Sequence, residues 1–303
     1  MEFANRAATT RVRLGNRLVH LRRRLGLDRR DTGGLAWLFV ATLPNSGSTA
    51  LASLLDSAPG AARIHPRGEA QWLVPELVAP GTRWNPAAAV DLGLVRAVWL
   101  DRALALGPTA GPVAGRRLVV EKSPPNLCRF RAVVGAFSDM PVHVVRFTRD
   151  PYAVCASWAR RYDPAKVAAV WDAPLPAGAR GAGGGREAFL RHLGDICGRR
   201  MAMLAALADI SDADVAYENF ADDPAAALAG LVTAIPALAG ADPRAVVAVK
   251  DYAPQVVRNM NADQVARLTA REIAAIGAGL RPYAAAVAAL GYALRSPEAV
   301  IAA

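Results

Sequence analysis

The apolar run from Leu35 to Leu43 stops at Pro44-Asn-Ser-Gly-Ser-Thr49, and apolar residues resume at Ala50 and continue to Leu55. This predicts a buried strand near 36–43, a tight Ser/Gly loop and a helix from about Gly47 to Asp56. The same alternation recurs further on. Arg117-Leu-Val-Val-Glu121 reads as a strand and is followed by Lys122-Ser-Pro-Pro, where Ser123 suits an N-cap and Pro124 a first helical position. Val142-His-Val-Val-Arg-Phe147 leads into Thr148-Arg-Asp-Pro151, with Asp150 as cap and Pro151 opening a helix to about Tyr162. A fourth strand is expected at Asp214–Tyr217, with a helix from about Pro224. Ala/Leu/Arg stretches near 187–209 and 264–290 predict long structural helices. Repeated strand-then-helix units predict an α/β class: a P-loop-like three-layer fold with a central parallel sheet flanked by helices.

Composition refines this picture. The chain has 303 residues, 53% of them hydrophobic, enough to bury a full core. One domain over 34–303 is expected behind an Arg-rich extension over 1–33. The formal net charge is +10, but residues 1–31 hold nine arginines against Glu2, Asp28 and Asp31, so +6 of it belongs to the tail. Residues 11–26 can form a basic amphipathic helix. It suits either contact with an anionic membrane surface, with nucleic acid the poorer fit, or a solvated or loosely docked extension. No secretory pattern is seen, and Leu35–Leu43 is far too short to span a bilayer, so a cytoplasmic protein is expected. Cys128, Cys155 and Cys197 and the four histidines lack metal-ligand spacing, which predicts reduced, mostly buried thiols and no metal. The Gly/Ala/Pro-rich segment 172–186 reads as a mobile loop, either a lid over a substrate or a neutral insertion.

Candidate chemistry gathers after the strands. In an open parallel sheet the strands' carboxyl ends share one edge and ligands bind there, so the motifs at 44–49, 121–124 and 148–151 should face one site. Ser46, Gly47, Ser48 and Thr49 offer consecutive N–H donors and three hydroxyls to an anion at a helix N-terminus. The loop has no Walker lysine, and no second acidic strand offers a Mg²⁺ ligand. Arg149, Ser157 and Arg161 combine an arginine fork, a hydroxyl and a second arginine, a set that suits a phosphate monoester. Only Lys122, Lys166 and Lys250 are lysines among 36 basic residues. At Lys122, a compact ammonium suits a single developing charge better than a guanidinium fork does.

These motifs, in this order, resemble the sulfotransferases that use 3′-phosphoadenosine 5′-phosphosulfate (PAPS), particularly bacterial members and the tyrosylprotein and glycan sulfotransferases. The resemblance spans about 36–292. It implies that Pro44-Asn-Ser-Gly-Ser-Thr49 holds the phosphosulfate and that Arg149, Ser157 and Arg161 hold the 3′-phosphate. It further implies that Tyr217, in Tyr217-Glu-Asn-Phe220, lies near the adenine and that Arg258, in Val257-Arg-Asn-Met-Asn261, covers the nucleotide. Glu69 of Arg67-Gly-Glu-Ala70 would be the general base, with Glu76 and His65 in reserve, and Lys122 the catalytic cation. The implied activity is sulfuryl transfer to a hydroxyl or amine of a small-molecule, glycan or peptide acceptor. PAPS would be co-substrate, 3′-phosphoadenosine 5′-phosphate (PAP) the product, and no metal is needed. One departure is Asn45, where the family often has Lys or Arg. Asn45 can donate a hydrogen bond but brings no charge, so Lys122 acts alone or Arg63, Arg67 or Arg258 reaches in. The alternatives are a P-loop-like phosphotransferase or NTPase and a non-catalytic nucleotide-binding module. Acceptor pockets would come from 63–100 and 163–186, where Trp72, Trp84, Trp99 and Trp171 serve either a ring-shaped acceptor or the core.

Overall fold

The computed structural model describes residues 15–27, 31–106, 117–171, 173–174, 185–247 and 254–295. Five parallel strands form one sheet: β1 (Leu35–Thr42), β2 (Ala61–Ala62), β3 (Arg117–Glu121), β4 (Val142–Thr148) and β5 (Ala213–Ala216). Their order is β2-β3-β1-β4-β5. Every β1 side chain is buried, and alternate residues enter two cores. Trp37 and Phe39 pack with Trp99, Phe130 and Phe137 in one layer, while Leu38 and Val40 pack with Leu51, Leu54 and Phe220 in the other. This is the expected three-layer arrangement. The chain leaves β1 toward β3 and β2 but leaves β4 toward β5. The carboxyl ends of β1 and β4 therefore border the crevice where the strand order reverses, and the motifs at 44–49 and 148–151 open there.

The helices follow the predicted signals with some differences. Residues 15–24 form α1, which rests on the body through buried Val19, an Asn16 Nδ2 donation to the Leu73 carbonyl (2.9 Å) and an Arg23–Asp91 ion pair (2.7 Å). Next come α2 (Ser48–Leu55), α3 (Leu92–Leu104), α4 (Phe130–Gly135), α5 (Pro151–Arg161), α6 (Pro164–Trp171) and α7 (Arg186–Ala205). Asp150 caps α5 as expected, accepting from the Tyr152 N–H at 2.7 Å. Ser123 does not cap. Its hydroxyl turns back to Glu121, and Pro124–Arg129 winds as a 3₁₀ turn before α4. The chain continues with α8 (Tyr217–Asp222), α9 (Pro224–Ala234), α10 (Asn261–Val265), α11 (Ala270–Leu280) and α12 (Ala284–Ala289). The long helix expected at 264–290 is thus broken into separate pieces. Thr269 and Glu272 form a capping box that starts α11 afresh, and Pro282 sits in a 3₁₀ turn that ends it. Most of the segment at 172–186, and Lys250, lie outside the described residues. No described helix is long and apolar enough to cross a membrane.

Candidate active site

The loop after β1 is shaped by two left-handed residues, Asn45 (φ 61°) and Gly47 (φ 90°). Asparagine tolerates that conformation better than most residues, and glycine adopts it freely. Three contacts from the β4–α5 side fix the loop. The Trp158 indole donates to the Pro44 carbonyl (3.0 Å), Arg149 Nη1 to the Asn45 carbonyl (2.8 Å), and Asn45 Nδ2 to Ser157 Oγ (3.3 Å). Gly47 stands at the N-cap of α2 with no side-chain cap. The N–H groups of Gly47, Ser48 and Thr49 meet no acceptor among the described residues, and all three residues line a cavity of about 460 Å³. Unfilled donors at a helix start, open to a cavity, form a cradle for an anion. Ser46 contributes differently from its expected part. Its hydroxyl is buried against the Leu43 carbonyl (2.6 Å) and Thr42 Oγ1 (2.6 Å), so it stiffens the loop from beneath and does not line the cavity.

Lys122, at the end of β3, reaches the cradle from the other side. Its side chain is 1% exposed, and its ammonium lies 2.9 Å from Thr49 Oγ1 and 3.0 Å from Glu69 Oε1. The Lys122 N–H also bonds the Gly68 carbonyl (2.7 Å), tying the strand end to the Gly68–Glu69 turn. The other Glu69 oxygen accepts from Trp72 Nε1 (2.9 Å) and Gln71 Nε2 (3.1 Å). Burial pushes the Glu69 pKa up, but the Lys122 charge and the donors from Lys122, Trp72 and Gln71 outweigh it and hold the carboxyl near 2. Burial lowers the Lys122 pKa, against the pull of Glu69.

Glu121 behaves oppositely. Fully enclosed and bonded to Ser123, it is pushed by burial up to about 7, although Ser123 and Lys122 pull the other way. Ser123 Oγ in turn accepts from the Gln71 N–H (3.1 Å), so the protonatable Glu121 anchors the segment that orients Glu69. An unfolded Glu121 ionises near 4.5 and the folded one near 7. In that window the native state binds the extra proton, so this group's contribution to stability falls as pH rises from about 4.5 to about 7. Glu121→Gln should flatten that slope and, above about pH 7, stabilise the protein by roughly 3 kcal/mol, measured by urea unfolding across the range.

Arg149 binds deep in the crevice. Besides the Asn45 carbonyl it donates to Asn261 Oδ1 (2.8 Å) and Gln264 Oε1 (3.0 Å) of α10 and lies 4.0 Å above the Tyr217 ring. The Tyr217 ring also presses on Gly47, and its hydroxyl donates to the Arg258 carbonyl (3.0 Å) and accepts from the Met260 N–H (3.1 Å). Tyr217 thereby joins the β1 loop to the 258–260 segment.

Eleven of the twelve sequence-predicted residues line this one cavity; Ser46 is the exception. Its described lining carries six cations, Arg67, Arg83, Lys122, Arg149, Arg161 and Arg258, against one carboxylate, Glu69. Arg83 was not signalled by any motif. Of the reserve residues, Glu76, His65 and Arg63 do not line the cavity, and Arg63 is committed to Asp56 (2.8 Å). Trp72, Trp84 and Trp171 form part of the wall, whereas Trp99 is fully buried, its indole donating to the Ala70 carbonyl (3.0 Å). Behind the wall Arg200 stacks 3.6 Å from Trp84 and 4.5 Å from Trp171. Burial brings its pKa down to about 9, and the ring faces hold its charge.

The fold and site together define an α/β protein whose strand-end loops converge on one strongly cationic cavity among the described residues. No family model matches the sequence, and no curated protein matches it either. Among solved structures, the chain is similar to the sulfotransferase STF9 from Mycobacterium avium, at 15% identity over 73% of this chain and 72% of that one, with a TM-score of 0.44. It is also similar to the sulfotransferase domain of the Synechococcus PCC 7002 olefin synthase, at 17% identity over 80% and 92% of the two chains, with a TM-score of 0.42. A third is the sulfotransferase domain from the curacin biosynthetic pathway, at 15% identity over 67% and 74%, with a TM-score of 0.41.

Proposed function

We propose that the protein transfers a sulfuryl group from PAPS to a hydroxyl or amine of a small-molecule, glycan or peptide acceptor. One observation carries this reading: an uncapped N–H cradle at residues 47–49 shares a cavity with Lys122 and five arginines, and the cradle loop itself has no lysine. That set fits a ligand with two separated anionic groups. The cradle and Lys122 would hold the phosphosulfate; Arg149, Ser157 and Arg161 would hold the 3′-phosphate; Tyr217 and Arg258 would border the nucleoside. The bound donor supplies an activated sulfuryl group on a phosphate leaving group.

The protein's own residues then have defined tasks. In the free protein Lys122 and Glu69 neutralise each other. An anion in the cradle draws Lys122 toward itself, and Glu69 loses the partner that depresses its pKa. With Trp72 and Gln71 still orienting it, Glu69 becomes a stronger base and can take the acceptor's proton. Lys122 meets the charge growing on the leaving oxygen, and the 47–49 amides hold the peripheral oxygens.

Calorimetry with PAP and with ATP–Mg²⁺, followed by transfer of labelled sulfate, tests the reading. Tighter binding of PAP is expected, and tighter binding of ATP–Mg²⁺ would overturn it in favour of a phosphotransferase. Glu69→Gln should bind PAP at least as tightly as the wild type, because Lys122 no longer has to be drawn from a carboxylate, and should lose turnover by roughly 10²-fold or more. Unchanged turnover would remove Glu69 from the base role.

A further inference from the structure

Within the arginine-rich start of the chain, α1 presents an apolar face that the described residues leave uncovered. At about 100° per residue, Val19, Asn16 and Arg23 fall within a sector of roughly 60° on α1. They are the residues that seat α1 on the body, against Leu73 and Asp91. Leu18, Leu21 and Leu25 fall within a similar sector on the opposite side, roughly 180° away. They are 64%, 51% and 61% exposed, and Leu27 just beyond is 66% exposed. These four make up nearly half of the nine large hydrophobic side chains exposed among the described residues. The leucines do not scatter over the surface; they form one stripe pointing away from the body. Arg17 and Arg24 border it on one side and Arg22 on the other, all exposed.

A helix docked on a protein by its polar-edged face, with its leucines outward, has its main burial still to make. The charge decides what completes it. A second copy would bring two segments of net +6 together. A nucleic acid would pair with the arginines but give the leucines nothing to bury in. An anionic bilayer satisfies both groups: leucines enter the acyl boundary and arginines remain among the headgroup phosphates. We infer that α1 is a membrane-surface anchor that holds this protein on anionic lipid. This inference is independent of the reaction proposed for the cavity.

The experiment is cosedimentation of the full chain with phosphatidylcholine vesicles, with and without about one third phosphatidylglycerol, at low and high salt. At least about tenfold more protein should partition onto the anionic vesicles at low salt, and high salt should weaken this. Leu18→Glu with Leu21→Glu should bring binding down to the neutral-vesicle level with an unchanged melting temperature, because both side chains are more than half exposed. Arg17→Gln, Arg22→Gln and Arg24→Gln together should also reduce binding. Equal partition onto both vesicle types would overturn the inference. So would undiminished anionic binding by the double-Glu variant, since arginines alone would then suffice. A wild-type dimer that the double-Glu variant converts to monomer, without vesicle binding, would assign the stripe to a second copy instead.

Discussion

Lys122→Met is expected to lower turnover by about 10³-fold while weakening PAP binding only about tenfold. Methionine matches the length of the side chain and tolerates its buried setting, so the change removes charge more than shape. The ammonium stands 2.9 Å from Thr49 Oγ1, at the lip of the cradle. The proposed reaction develops its new charge there, and a cation placed in advance stabilises the transition state more than the ground state. A second readout separates this role from mere donor attraction. Lys122 is the charge that depresses Glu69, and without it burial is the dominant influence and pushes that pKa upward. The acid limb of the kcat/KM profile for the donor, which reports the free enzyme, should therefore move to higher pH in the variant. An equal loss in kcat/KM and in PAP affinity, with kcat intact, would make Lys122 a binding residue only.

Gly47→Ala should be the most damaging single-methyl change in the site. A Cβ there would lie 2.5 Å from Tyr217 Cδ2, and the backbone at φ 90° disfavours any side chain. The ring cannot retreat cheaply, because Arg149 stacks on it and its hydroxyl holds both the Arg258 carbonyl and the Met260 N–H. The loop itself must therefore shift, dragging the 47–49 amides off their aim. A loss of roughly 2–4 kcal/mol in stability and about 10²-fold in PAP affinity is expected, read by thermal unfolding and calorimetry. If affinity and stability were both unaffected, the cradle would not be the rigid element described here.

Much of this site is legible in the sequence because sheet topology is the strongest rule at work. Once 36–43, 117–121 and 142–147 read as parallel strands, their following residues had to share an edge, and Asn45, Lys122 and Arg149 do. Side-chain direction is far less legible. Nothing in the spacing of Ser46 and Ser48 says that one hydroxyl points into the protein and the other residue lines the cavity. Trp99 and Trp84 look alike in sequence, yet one is stacked in the aromatic core and the other forms a cavity wall backed by Arg200. Arg83 has no motif around it, and only the folding of the 70–90 segment brings it to the cavity. Glu121 stood in view at a strand end, but its raised pKa depends on complete enclosure, which composition does not reveal. The two-residue β2, Ala61–Ala62, carries no strand pattern at all.

The pairing of Lys122 with Glu69 also bears on which anions the proposed site admits. A free sulfate or phosphate ion reaches the cradle alone and finds its lysine already neutralised, so it must separate that pair without help. A nucleotide that grips Arg149 and Arg161 at its far end brings additional binding energy to the same separation. On the proposed reading the internal glutamate would act as a resident competitor, setting a threshold that short anions fail and a two-ended ligand passes. Selectivity against the cell's abundant inorganic anions would then come from a carboxylate that the protein carries itself.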